Sequence, residues 1–208
     1  MFMKTLFSFL IILFLCGNSI SAQVEKNAEI KDLNLHLKEN DSLFYAILEQ
    51  EKISSTILEK IEKNKAKYIP PILFVLAEKL YSSGEKEKAV RLYYIALLRA
   101  LIDAKQEEAL LERNQKIVEL YAQHFGRSIE EYAKLNFEKI EKQLRHACEY
   151  VKNTPAEYSF KWIYLDGAEK ETDVSQLKEI QIDSEKQEKL TFEVVHKIEE
   201  KLKKLNSY

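Results

Sequence analysis

Only four glycines and three prolines punctuate 208 residues, while apolar side chains recur three and four apart over most of the chain. A backbone so poor in turn formers cannot make the many tight reversals of an all-β fold, and the spacing predicts helices. Pro70-Pro71 is the sharpest mark: proline disfavours helix in the residue before it and suits the first turn after it. From there Ile72, Leu73, Leu76, Ala77, Leu80 and Tyr81 form one apolar face, and Gly84 supplies a left-handed stop. A second helix, opening at Glu85-Lys86-Glu87-Lys88 and reaching Ala104, would bury Ala89, Leu92, Tyr93, Ala96, Leu97 and Ala100. The two read as an antiparallel pair joined by a tight turn.

Flanking helices follow by the same logic. Ile30, Leu33 and Leu37 make residues 28–39 a short amphipathic helix, Leu43 to about Lys52 reads as the next, and the capping box Thr56-Ile-Leu-Glu59 opens another that ends near Lys67. Glu107 to Phe125 gives a core helix that Gly126 should stop, and Ser128-Ile-Glu-Glu131 should open the next, running to about Lys152 before Thr154-Pro155. Tyr158, Phe160, Trp162 and Tyr164 alternate like a short strand or an aromatic extended segment lying across the helices, and Ile180 and Ile182 offer it a pairing partner. The box Ser184-Glu-Lys-Gln187 opens a terminal helix with Val195, Ile198, Leu202 and Leu205 on one face. The expected class is all-α, an irregular helical bundle with an aromatic extended segment or small hairpin near its C-terminal end.

The N-terminus has a different character. Lys4 is the only charge before Glu25, Leu6 to Cys16 is almost wholly apolar, and a polar stretch ends in the small residues Ser21-Ala22. This is the anatomy of a secretory signal peptide, with cleavage expected after Ala22 and a periplasmic destination. Leu15 stands where lipid attachment to Cys16 would need a small residue. The processed chain keeps one cysteine, Cys148, so no internal disulfide is available to it. The organisation expected is 1–22 signal peptide, 23–68 helical arm, 69–167 helical core with aromatic tail, and 168–208 linker and amphipathic helix.

The positions Leu73, Leu76, Ala77, Leu80, Gly84, Ala89, Tyr93 and Ala96 resemble the tetratricopeptide (TPR) helical hairpin, with small residues where its two helices approach closely. Where that family closes with proline this chain has Leu101, so the second helix is expected to run on. No second copy follows, and one hairpin cannot bury its own apolar face. More broadly, Pro70-Pro71, Leu80-Tyr81, Gly84, Tyr93, Leu98-Arg99, Asp103, Gly126, Tyr132-Ala133, Thr154-Pro155, Trp162-Ile163 and Gly167 look like a group of small exported bacterial proteins that join a TPR-like hairpin to a tryptophan-glycine tail. That resemblance implies a fold and no assigned chemistry.

Chemical motifs are scarce. The basic and acidic residues, 32 against 34, are too nearly balanced for a general nucleic-acid binder. His36, His124, His146 and His196 are dispersed, His146 and Cys148 diverge on a helix, and no nucleophile elbow or phosphate loop is present. No metal or cofactor is expected, and no membrane span once the leader is removed. The unusual grouping is Tyr93-Tyr94 with Arg99 and Asp103, where Arg99 and Asp103 would either pair one turn apart or leave Arg99 to recognise a partner carboxylate. Trp162 is either core or recognition surface. The candidate partner-binding residues are therefore Tyr81, Tyr94, Arg99, Asp103 and Trp162, and the function expected is a non-enzymatic, exported protein-binding module. An immunity protein neutralising an antibacterial toxin is a narrower reading, and a hydrolase whose carboxylates meet only on folding is a rival one.

Overall fold

The computed structural model describes residues 41–50, 53–158, 160–164 and 183–205, and every regular element among them is helical. The helices are α1 (Asp41–Glu49), α2 (Ser55–Lys63), α3 (Pro70–Ser82), α4 (Lys86–Ala104), α5 (Leu111–Leu135), α6 (Phe137–Asn153) and α7 (Ser184–Leu205), with short 3-10 turns at Lys65–Lys67, Glu108–Leu110 and Phe160–Tyr164. The protein is an all-α bundle. The signal-peptide region, the helix expected at 28–39, the Ile180/Ile182 pairing and Gly167 lie outside the described residues.

The predicted hairpin forms. Pro70 and Pro71 occupy the first positions of α3 behind an extended Ile69, and Gly84 takes φ +92° in the turn. In α4, fourteen of nineteen residues are buried, so it is apolar on nearly every side. That is the pattern of a helix enclosed by others, and α3, α5, α6 and α7 all pack against it. An ion pair of 3.0 Å joins Glu87 near the start of α4 to Lys139 near the start of α6, and Arg99 lies over Tyr150 near their ends. The two helices therefore run parallel, side by side. α1 is packed too: Phe44 and Ile47 are buried, and Phe44 meets Phe125 of α5 edge-on at 6.5 Å.

Several boundaries differ from the sequence reading, each for a local reason. Ser54, not Thr56, caps α2: its Oγ accepts from the Ile57 amide at 3.2 Å, and the helix stops at Lys63 because the Asn64 side chain donates to the Lys60 carbonyl at 2.9 Å. Removing that cap with Ser54→Ala should lower stability by about 1 kcal/mol, read by urea denaturation. Gly126 does not end a helix. α5 runs unbroken past it, with Ser128 in its interior, to Asn136. There the Asn136 side chain donates to the Tyr132 carbonyl at 2.8 Å while its own carbonyl accepts the Lys139 and Ile140 amides, so one residue ends α5 and begins α6.

The aromatic segment is not a strand or extended across its length. Phe160–Tyr164 is a 3-10 turn, and Tyr158, Phe160, Trp162 and Ile163 are all buried. Adjacent residues 162 and 163 both point inward, which strand alternation forbids. At the start of α7 the cap is Asp183, whose Oδ1 accepts the Glu185 and Lys186 amides at 3.0 and 3.2 Å. Gln187, freed from that duty, hydrogen-bonds Gln106 at the end of α4.

Candidate functional site

Arg99 and Asp103 sit one turn apart on α4, and each is only 2% exposed. They do not close on one another. Arg99 donates from Nη1 to the Lys65 carbonyl at 2.9 Å and from Nη2 to the Thr154 carbonyl at 3.3 Å, with its guanidinium 5.3 Å from the Tyr150 ring and 5.8 Å from the Tyr158 ring. Asp103 Oδ2 accepts from Tyr158 Oη at 3.0 Å and Trp162 Nε1 at 2.8 Å. Trp162, 4% exposed, stands edge-on to Tyr121 of α5 at 5.9 Å. The Glu157 amide also donates to the Ala66 carbonyl at 2.8 Å. Two neighbouring charges on the central helix thus bind the chain before α3 and the chain after α6. The mutual ion pair gives way to a two-sided clasp because buried carbonyls and buried O–H and N–H groups need partners of their own.

Burial pushes the Asp103 carboxyl up to about 7, against the opposing pull of the Trp162 and Tyr158 hydrogen bonds and the Arg99 charge. Beside it lies a cavity of about 20 Å³ lined by Arg99, Asp103, Tyr158, Gln187 and Thr191 among others, room for roughly one water. Glu130, half-buried, is also pushed upward by desolvation and is hydrogen-bonded to Tyr93. Tyr93 lies ten residues, about 15 Å of helix, before Asp103 on α4. The two acids do not converge.

The remaining sequence-chosen residues divide. Tyr94 is 4% exposed and its hydroxyl has no hydrogen-bond partner, so, like Arg99, Asp103 and Trp162, it is internal and presents nothing to a docking surface. Tyr81 is half-buried at the rim, edge-on to Tyr132 at 6.0 Å, with the Lys86 ammonium 5.4 Å and 5.1 Å from the two ring centres. Cys148 is buried, which pushes its thiol up to about 12 and keeps it in the unreactive protonated form. Among the described residues no group of His, Cys, Asp or Glu is placed to hold a metal ion, and no helix is long and apolar enough to cross a membrane.

Outside the clasp, the parallel pair α4 and α6 leaves an open groove of about 440 Å³. Arg91 and Ile95 line it from α4, His146, Glu149, Tyr150 and Asn153 from α6, and Lys65 and Thr154 close one end. No protein-family model, curated protein or solved structure matches the chain. The site is therefore defined by its geometry. Lys65 is engaged with Glu62 at 3.0 Å and lies 5.3 Å from the centre of the Tyr150 ring. Arg91 and Glu149 face the same space with no ion pair between them. Arg91, Glu149 and Tyr150 carry no mark in the sequence, since in Lys/Glu-rich helices such residues look like ordinary solvated surface. The only signal available was their helical phase: Arg91 precedes the buried Ile95 by one turn, and His146, Glu149, Tyr150 and Asn153 share one side of α6.

Proposed function

We propose that the protein is an exported, non-enzymatic, TPR-like binding module of the periplasm or cell envelope, which receives a segment of a partner protein in the α4–α6 groove. The signal-peptide anatomy of residues 1–22 supports the location. The observation that carries the binding role is the groove itself: an open space of about 440 Å³ in which an apolar floor at Ile95 meets the unpaired charges of Arg91 and Glu149. Recognition would work by shape and charge on a preformed helical surface. The clasp at Arg99 and Asp103 holds α4, α6 and the flanking chain in register, so the groove walls are fixed before a partner arrives and little ordering entropy opposes binding.

A photo-crosslinking residue placed at Asn153, inside the groove, tests this in intact cells against the same residue at Lys189, exposed on α7. The groove position should give a discrete protein adduct that Arg91→Glu abolishes, and the processed chain should begin at Gln23 by mass spectrometry. An adduct formed equally from Lys189, or none from Asn153, would sink the binding role.

A further inference from the structure

Building on that reading of the groove, we propose that its occupant is a dipolar segment: an extended stretch of a partner protein with an acidic residue and, about three residues away, a basic one. The Arg91 guanidinium takes the carboxylate and the Glu149 carboxylate takes the cation.

The inference begins with what Arg91 does not do. Glu87 precedes it by one turn, the helical arrangement in which an acid and a base normally pair. Here, however, Glu87 is drawn across to α6 by Lys139 at 3.0 Å. The other cations around the groove are also engaged: Arg99 with the Lys65 and Thr154 carbonyls, Lys65 with Glu62, and Arg145 with Glu141 at 2.6 Å. Arg91, half-buried, is left among the described residues with no hydrogen bond or ion pair. Its planar fork suits a carboxylate, which it can hold through two parallel bonds.

Glu149 is in the converse position on the opposite wall. It is exposed, lines the same groove and has no cation within ion-pair distance. A second acidic group on the ligand would meet it unfavourably, so the groove selects against a uniformly acidic segment and accepts one charge of each sign.

The spacing follows from helix register. Because α4 and α6 are parallel and Glu87 is level with Lys139, Arg91 lies four residues beyond that level and Glu149 ten. The difference is about 9 Å along the groove at 1.5 Å per residue. The Arg99–Tyr150 contact confirms that the register holds to the far end. An extended chain advances about 3.3 Å per residue, so about 9 Å corresponds to roughly three residues. Between the two charges, Ile95 offers an apolar floor for the intervening side chains, while Asn153 and Thr154 supply amide and hydroxyl groups at the Glu149 end.

Three capped probes test the assignment by fluorescence anisotropy or NMR titration of the purified protein: acetyl-Asp-Leu-Leu-Lys-amide, acetyl-Lys-Leu-Leu-Asp-amide and the uncharged acetyl-Asn-Leu-Leu-Gln-amide. One charged order should bind about tenfold more tightly than the uncharged peptide, the worth of a charge-assisted contact. Arg91→Gln and Glu149→Gln should each remove most of that preference without moving Tm, since neither side chain has a partner in the folded protein to lose. The charge-swapped Arg91→Glu/Glu149→Arg protein should prefer the opposite peptide order. Equal binding of all three peptides, binding of none, or a preference unchanged by the swap would overturn the dipolar assignment. If the Asn153 crosslink still forms in cells after such a result, the groove remains the docking site and only its charge specificity falls.

Discussion

Replacing Gly126 with alanine is expected to destabilise the protein by about 2 kcal/mol or more, although alanine is the better helix former by about 1 kcal/mol. Gly126 lies in the middle of α5, where a helix would ordinarily gain from a Cβ. A Cβ built there would stand 2.5 Å from both Cζ and Oη of Tyr93, closer than non-bonded atoms tolerate. Tyr93 cannot withdraw. It is fully buried, edge-on to Phe74 at 5.5 Å and to Tyr94 at 5.2 Å, and its hydroxyl donates to Glu130 across the α4–α5 contact. Burial and the adjoining Glu130 charge also hold the Tyr93 phenol well above the usual range, so it remains a neutral donor at any physiological pH. Urea denaturation of Gly126→Ala, Tyr93→Leu and the double variant checks the cause: the double should lose clearly less than the sum of the singles, because the smaller side chain removes the collision. Strict additivity would mean that α5 and α4 do not meet at this point.

The second large effect is expected at Asp103, and it splits by substituent. Asp103→Leu leaves the Tyr158 hydroxyl and the Trp162 indole N–H buried without an acceptor. At roughly 1–3 kcal/mol for each orphaned donor, the loss should be about 3 kcal/mol. Asp103→Asn keeps an acceptor and removes the charge, and its effect should depend on pH. The folded-state pKa of Asp103 is raised from 3.8 to about 7. The protonated acid is therefore favoured by folding: its contribution is complete below about pH 4 and is lost as pH rises towards 7, by at most about 4 kcal/mol. The asparagine protein should lack this decline, so its stability advantage over the native sequence should grow between those limits. Trp162 is the chain's one tryptophan, and its emission reports directly on the clasp. Release of the aromatic segment in Asp103→Leu should shift that emission to the red. An asparagine variant with the same pH slope as the native protein would show that Asp103 is not the titrating group.

Both effects arise at residues that the sequence marks by type, while their partners lie far along the chain. Gly126 is legible in the sequence as special, and its setting there predicts a helix stop. Glycine serves equally where a backbone needs freedom and where a neighbour needs room, and only the position of Tyr93, thirty-three residues earlier, separates the two uses. Arg99 and Asp103 are legible as a group with two uses open, a mutual ion pair or recognition of a partner carboxylate, and Trp162 is open between core and recognition surface; the structure shows all three buried, with the two charges turned to other partners. Their actual partners, Lys65, Thr154 and Tyr158, lie some 34 to 55 residues away along the chain. The groove was not legible at all, since Arg91 and Glu149 acquire meaning only when Lys139 takes Glu87 away and the two walls are set side by side.

What the amino-acid order determined on its own is the local part: helices wherever apolar residues recur at three and four, a start at Pro70-Pro71, a turn at Gly84 and a stop before Thr154-Pro155. These depend on backbone sterics and on contacts within one or two turns, which a short window contains. Only the tertiary structure decided that α5 passes through Gly126, that the aromatic segment coils inward over Asp103, and which charges stay unpaired. Each of those outcomes is a competition among distant groups for buried hydrogen bonds and space, and a competition has no result until every competitor has been placed.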